Sequence, residues 1–334
     1  MDKQPTIIDV ARVAGVSKAT VSRVLRGEDR VSDQTRSDVM KAVKKVGYRP
    51  NIVARSLKER VASVFGFVTS DLSNPYYADI LRGVYQAAAG TGFQIIIASG
   101  DESSGGAEAA IGALREFRVS GLILASPSLT MRQIAKLTDG LPAVIEGHAN
   151  APAKFDVVTS DDIEGARLLV DHLVQLGHRR MVVLEDTGLG GFDRLDGFAR
   201  AFKRAQLSSS VRHIPTVATA EGGYESMKAV LARGKPPTAV LCDNDIMAVG
   251  AMSAIEEANM SVPKDISVTG FDDIAMARLR QFDLTTVRQD RWAIGRLCFE
   301  VLHRRVQIED KQLPGRIILK PTLKVRGSTG PVRS

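Results

Sequence analysis

Residues 6–25 read TIIDVARVAGVSKATVSRVL. Thr6 can cap a first helix and puts Asp9 in its opening turn, where a carboxylate offsets the positive helix end. Ile8, Val10, Ala11, Val13 and Ala14 supply an apolar side. Gly15 breaks the helix, Val16 anchors the turn, and Ser17 can cap a second helix whose Val21, Val24 and Leu25 point inward at helical spacing. Lys18, Ala19, Ser22 and Arg23 then fall on the outer side, with Ser17 and Thr20 beside them at the helix start. Two short helices joined by a Gly-containing turn, the second opening with small polar and basic residues, make a helix-turn-helix. A small side chain such as Ala19 lets the backbone approach base edges, and Lys18 and Arg23 can donate to guanine acceptors or to phosphates. A generic helical hairpin is the plainer alternative; pattern, caps and charge agree on the DNA reader.

A third helix follows, with Ser32 as its cap, Thr35, Val39, Val43 and Val46 as its inner stripe, and Gly47 at its end. Lys41, Lys44 and Lys45 read as a solvated basic face. Residues 48–60, YRPNIVARSLKER, hold a stop at Pro50, a cap at Asn51 and the apolar residues Ile52, Val53, Ala54 and Leu57 among Arg55, Lys58 and Arg60. A helix this short is not stable alone. The segment is either a plain linker or a stretch that folds on DNA and pushes an apolar wedge into the minor groove.

Charge separates this module from the rest. Residues 1–60 hold 14 Lys and Arg against 7 Asp and Glu, and the whole chain holds 45 against 38, which leaves 31 against 31 beyond residue 60. A basic module on a neutral body is the electrostatic footprint of a nucleic-acid reader joined to something else. At 334 residues the chain is expected to form two or three domains. No long apolar run suggests a membrane span, and the opening Met-Asp-Lys-Gln-Pro lacks the apolar stretch of a signal peptide, so the expected location is cytoplasmic. Cys242 and Cys298 lack partners at metal-ligand spacing and are expected to be buried, reduced thiols.

DVARVAGVSKATVSRVL, followed by VSDQTRSDVMKAVKKVGYRPN and VARSLK, resembles the DNA-binding end of the LacI/GalR family of bacterial transcription regulators. The resemblance implies that Asn51–Lys58, with Ala54 inside it, is a hinge helix and that Leu57 is its minor-groove wedge. It also implies that Lys18, Ala19 and Arg23 read bases in the major groove. Arg26 stands where many members carry Asn and can add a phosphate contact.

From residue 61 the texture changes to short β-rich runs alternating with helical stretches. The runs are Val64–Thr69, Gln94–Ala98, Gly121–Ala125, Ala143–Glu146, Arg180–Leu184, Ala239–Leu241 and Ile266–Thr269. Between them lie helical patterns over 77–90, 107–117, 162–176, 194–206, 223–233 and 246–259. Such alternation gives α/β architecture, parallel sheets covered by helices on both faces, with ligands at the carboxyl ends of the strands. The polar residues there are Asp71, Tyr76, Tyr77, Glu146, Arg194 (in the loop after MVVLED), Asn244 and Asp272. Carboxylates, an Arg and an Asn with aromatic faces nearby suit a neutral polyhydroxylated ligand, because each hydroxyl both donates and accepts. Asp and Asn are also common turn formers, and Asp245 and Asp273 read best that way.

LVDHLVQLGHRRMVVL, RLDGFARAF, PTAVLCDNDIMAVGAM and VPKDISVTGFDD resemble the effector core of the same family, which is similar to periplasmic sugar-binding proteins. That implies two Rossmann-like subdomains, and contacts from Arg194, Asn244 and Asp272 to a small effector. Members often carry Asp where this chain has Glu146. The expected divisions are a helix-turn-helix domain over 1–50, a hinge helix over 51–60, a core over 61–330 and a tail over 331–334. Within the core, one subdomain takes 61–160 and 290–318 and the other takes 161–289 and 319–330.

Catalytic readings find little purchase. The loop Gly188-Leu189-Gly190-Gly191-Phe192-Asp193 has Asp193 where a dinucleotide loop needs its third glycine. His148, His172, His178, His213 and His303 form no i,i+4 metal pair, and no G-x-S-x-G elbow or Walker loop is present. His178 reads as a structural turn residue. No catalytic residue, metal or cofactor is expected.

The expectation is a cytoplasmic, sequence-specific repressor that binds a pseudo-palindromic operator as a homodimer and senses a sugar or sugar derivative as inducer. The C-terminal residues lack a leucine heptad for a tetramer, and Ile80, Leu81, Val84 and Tyr85 are candidates for the dimer face. A regulator of the same build with a purine-like co-repressor or a protein partner remains open. So, more distantly, does a sugar-binding or sugar-modifying protein with an incidental basic tail.

Overall fold

The computed structural model describes residues 5–25, 31–48, 63–100, 105–186, 188, 192–307 and 313–332. The chain divides into two compact units, Met1–Ala62 and Ser63–Ser334.

Among the described residues the first unit has three helices, α1 (Ile7–Ala14), α2 (Lys18–Leu25) and α3 (Asp33–Val46). Val10, Ala11, Val21, Val24, Val39 and Ala42 form its core, ringed by Ile7, Ala14, Val16, Leu25, Val43, Val46 and Tyr48. Gly15 ends α1 at φ 66°, a left-handed cap that favours glycine. Ser17 Oγ accepts from Thr20 N at 3.1 Å, and Ser32 Oγ accepts from Thr35 N at 3.3 Å. The inner faces differ from expectation in detail. Ile8 and Val13 are 59% and 44% exposed, because the buried line of α1 runs through 7, 10, 11 and 14. Thr35 belongs to the Ser32 cap, and Ala42 takes a place in the stripe of α3.

The second unit is built on two six-stranded sheets. The first runs in the order β11-β5-β4-β3-β1-β2, all parallel, with β1 (Val64–Thr69), β2 (Gln94–Ser99), β3 (Gly121–Ala125), β4 (Ala143–Glu146), β5 (Asp156–Ser160) and β11 (Arg316–Leu319). The second runs β12-β10-β9-β8-β6-β7, with β6 (Met181–Asp186), β7 (Val211–Thr216), β8 (Ala239–Cys242), β9 (Ser267–Asp272), β10 (Thr285–Arg288) and an antiparallel edge, β12 (Thr322–Lys324). Separate apolar clusters pack the two faces of each sheet. The chain crosses between the sheets three times, after Ser160, after Arg288 and after Leu319.

Helices start where their caps sit rather than at the first apolar residue. Asn74, Thr219 and Asn244 cap α4 (Pro75–Ala88), α9 (Ala220–Leu231) and α10 (Asp245–Glu257), so each begins earlier than periodicity suggests. The others are α5 (Gly106–Glu116), α6 (Met131–Leu137), α7 (Asp162–Gln175), α8 (Phe192–Arg204) and α11 (Arg291–Gln307). Two helix pairs cross at glycines: a Cβ on Gly250 of α10 would lie 1.8 Å from Ala220 O, and one on Gly295 of α11 would lie 1.9 Å from Ile80 O. The second crossing buries Ile80 and Val84 completely in the chain's own core, so they are not available to a dimer face; Tyr85 stays half exposed. Beyond β12, the chain is tied to the second sheet by Ser328 Oγ, which donates to Val268 O at 2.6 Å, and to the end of the helix Asp162–Gln175 by Val332 N, which donates to Leu176 O at 3.1 Å.

Candidate functional site

The carboxyl ends of both sheets face one cleft of about 300 Å³. From the first sheet it is lined by Asp71, Tyr76, Tyr77, Ser126 and Glu146, and from the second by Arg194, Asn244, Asp243 and Asp272, with Asp162 and Gln289 at the crossovers. All seven residues singled out from sequence, Asp71, Tyr76, Tyr77, Glu146, Arg194, Asn244 and Asp272, are brought together here.

Glu146 closes β4 and is buried. Its Oε1 accepts from Tyr76 Oη at 2.5 Å and its Oε2 from Ser126 Oγ at 3.1 Å. Burial pushes its pKa up to about 7, although both hydrogen bonds favour the ionised form. Burial, then the Glu146 charge, raises the Tyr76 phenol, so it stays a donor.

Arg194 sits in the first turn of α8 rather than in the preceding loop, because the helix begins two residues before it. Its Nη2 donates to Asp162 Oδ2 at 2.9 Å, its Nη1 donates to the main-chain oxygen of Asp243, and the guanidinium lies 3.8 Å over the Phe271 ring. Burial works to lower its pKa, but Asp162, Asp243 and Asp272 outweigh it and hold Arg194 protonated. Burial raises Asp243 to about 7 against the pull of Arg194, and raises Asp162 as well.

Asp272 ends β9 at φ 118°, a strained conformation for a non-glycine residue, and accepts from Gln289 Nε2 at 2.7 Å. Burial raises its carboxyl, with Arg194, Arg291 and Gln289 opposing. Gln289 also lies 3.4 Å from Tyr76 Oη, so one side chain in the crossover touches both walls.

Other predicted residues are partly committed to local structure. Asp71 Oδ1 accepts from Ser73 N at 2.7 Å, Tyr77 Oη lies 3.3 Å from Ser70 Oγ, and Asn244 Oδ1 caps α10 through Met247 N at 2.8 Å. Asp245 accepts from Ile274 N and Thr286 Oγ1, and Asp273 pairs with Arg278 and Arg326, so both are structural. His178 bonds Thr238 and Gly330 through its two ring nitrogens. Sequence reasoning missed Asp162, Asp243, Ser126 and Gln289. Asp243 adjoins Asn244 and was within reach. Asp162 and Gln289 follow β5 and β10, strands whose polar ends hid them.

In the first unit, Ser17, Lys18, Ala19 and Arg23 are exposed at the start and outer side of α2, and Thr20 and Ser22 are half-buried beside them. Arg26, Asn51, Ala54, Leu57 and Lys58 lie outside the described residues. Among the described residues no helix is long and apolar enough to cross a membrane, and no cluster of His, Cys, Asp or Glu is arranged to hold a metal. Both cysteines are buried and free.

Comparison with known proteins finds the same two parts. The family model for bacterial regulatory proteins of the lacI family matches residues 6–51, and that for a periplasmic binding protein-like domain matches 170–329. The HTH-type transcriptional repressor PurR of Haemophilus influenzae is 31% identical over 330 residues, covering 97% of this chain and 98% of its own. The ribose operon repressor of Haemophilus influenzae is 30% identical over 326 residues, again 97% and 98%. The solved lac repressor dimer, bound to operator and the anti-inducer ONPF, matches with a TM-score of 0.86 at 30% identity, over 98% of this chain and 100% of that one.

Proposed function

The chain belongs to the LacI family of bacterial regulatory proteins, and from that premise we propose that it is a DNA-binding repressor whose operator affinity is set by a small polyhydroxylated effector. The observation that carries the effector half is the convergence of seven residues, spread from Asp71 to Asp272, on one polar cleft between two sheets. Hydroxyls meet both carboxylate acceptors and amide or guanidinium donors there, and Tyr77 offers a ring face.

In this reading the outer side of α2 enters the major groove, with Lys18, Ala19, Arg23 and their neighbours Ser17, Thr20, Ser22 and Arg26 on bases and phosphates. Residues 51–60 form the hinge, with Asn51, Ala54, Leu57 and Lys58 at the minor groove. The divisions 1–50, 51–60, 61–330 and 331–334 are the functional ones. One recognition helix covers a half-site, so the working unit is a homodimer on a pseudo-palindrome in the cytoplasm. An effector that grips both walls sets the angle between them through the Gln289 crossover, and that angle sets the spacing of two hinges. A coupling of about 1–3 kcal/mol is typical of such devices.

The test is selection of duplexes from a random pool with the full chain, then release of the selected duplex by a panel of sugars. An enriched pseudo-palindrome released by one sugar is expected. Failure to enrich any sequence would remove the DNA-reading half, and failure of every sugar to act would remove the effector class. The resemblance to proteins named PurR favours one second reading, a purine co-repressor. Calorimetry with nucleobases separates it, because a co-repressor tightens operator binding instead of releasing it.

A further inference from the structure

We propose that Asp162 makes the cleft reject anions: with Asp243 it occupies the Arg194 guanidinium, so the site admits an uncharged or amine-bearing polyol and excludes phosphorylated and carboxylated sugars. The polyol class rests on the effector reading above; the charge selection does not.

An arginine at a cavity wall is ordinarily a receptor for phosphate or carboxylate, through two parallel N–H donors. Arg194 is the one cation among the described residues lining this cleft, and six carboxylates line it as well. Both of its terminal nitrogens are already engaged. Nη2 is held by Asp162 Oδ2 at 2.9 Å, Nη1 by the Asp243 main-chain oxygen with Asp243 Oδ2 at 3.5 Å, and its flat face by Phe271.

The groups left over point the same way. Arg194 Nε, Asp162 Oδ1 and Asp243 Oδ1 are buried and have no hydrogen-bond partner among the described residues, and Asp243 is only 3% exposed. Nε is the one guanidinium nitrogen with no partner, and Nη1 and Nη2 are already drawn to Asp243 and Asp162, so an anion would compete with two carboxylates for the fork, whereas two carboxylate oxygens call for donors. Hydroxyl or ammonium hydrogens answer them, and an anionic ligand would add further acceptors beside like charge. Glu146 and Asp272 do not change this balance, since Tyr76, Ser126 and Gln289 already hold them.

Asp162 is the residue to alter, because it opens α7 whereas Asp243 also meets Arg194 through its backbone. Asn at 162 keeps the shape and removes the charge. The experiment titrates the full chain, wild type and Asp162→Asn, with inorganic phosphate by calorimetry. It then screens neutral monosaccharides, amino sugars, sugar phosphates and uronic acids by thermal shift. Asp243→Asn serves as a second variant should the first fold poorly.

Wild type is expected to ignore phosphate and every anionic sugar. The variant is expected to bind phosphate at least about tenfold more tightly than wild type. Phosphate or a sugar phosphate binding wild type as tightly as the variant would overturn the proposal. So would folded variants that gain no anion binding, which would make the Asp162–Arg194 pair merely structural. Gain of phosphate binding with no neutral or amino sugar bound by wild type would sink the polyol reading and leave the charge gate standing.

Discussion

Tyr76 donates its phenolic hydrogen to Glu146 Oε1 across 2.5 Å, although 70 residues separate them and both are buried. The bond joins the first turn of α4 to the end of β4, so the carboxylate is positioned by the scaffold before any ligand arrives. Tyr76→Phe keeps the ring and leaves Glu146 without one donor. An unsatisfied buried acceptor costs about 1–3 kcal/mol. Thermal denaturation at pH 8 is expected to show that loss, and the loss is expected to shrink at pH 6, where Glu146 is protonated.

The same burial predicts how the ligand-free protein responds to pH. Glu146 and Asp243 titrate near 7 in the fold, above their unfolded values. Between the ordinary carboxylate range and about 7 the folded state therefore binds more protons than the unfolded one. Their stability contribution is fully present below the unfolded pKa and is lost as pH rises through 7. The melting temperature is expected to rise as pH falls from 8 to 6. Effector affinity is expected to move the opposite way, because the ionised carboxylates accept from hydroxyls. Glu146→Gln should flatten part of the stability slope.

The architecture could be read from sequence to different depths in different places. Central strands such as Val64–Thr69 and Gly121–Ala125 are buried on both faces, so their unbroken apolar runs marked them. Asp156–Ser160, Val211–Thr216, Thr285–Arg288 and the two short strands near the C-terminus carry polar residues or lie at edges, and local pattern does not separate them from loops. The cleft residues were legible because parallel sheets put ligands at strand ends. Asp162 and Gln289 were not, since each sits where the chain crosses between sheets, and a crossover is a property of the assembled fold. Ile8 and Val13 show the limit of apolar counting: eight residues make barely two turns, and both sides of α1 carry apolar residues.

Helix crossings at glycine predict a stability change unrelated to the ligand. A Cβ on Gly250 would meet the Ala220 backbone oxygen at 1.8 Å, a position that cannot yield by side-chain rotation. Gly250→Ala is therefore expected to push α9 and α10 apart and to destabilise the second unit by about 1–3 kcal/mol, the usual range for overpacking. Denaturant titration checks this. Gly112→Ala, where a Cβ meets nothing within 4 Å, is the control and is expected to leave the midpoint unchanged or raised.

The DNA-reading assignment predicts two kinds of loss from two basic residues. Arg23 is exposed on the outer side of α2, the helix read as entering the major groove. Lys44 is exposed on α3, whose buried line faces the core of the same unit. Arg23→Ala is expected to cost about 1–3 kcal/mol on the selected duplex and to relax the base preference at one position in each half-site. Lys44→Ala is expected to weaken selected and random duplexes alike and to lower the salt slope by about one. Binding measured on both duplexes over a salt series separates the two. Equal losses for Arg23→Ala on selected and random DNA would take α2 out of the groove, because a residue that reads a base cannot be indifferent to which base is there.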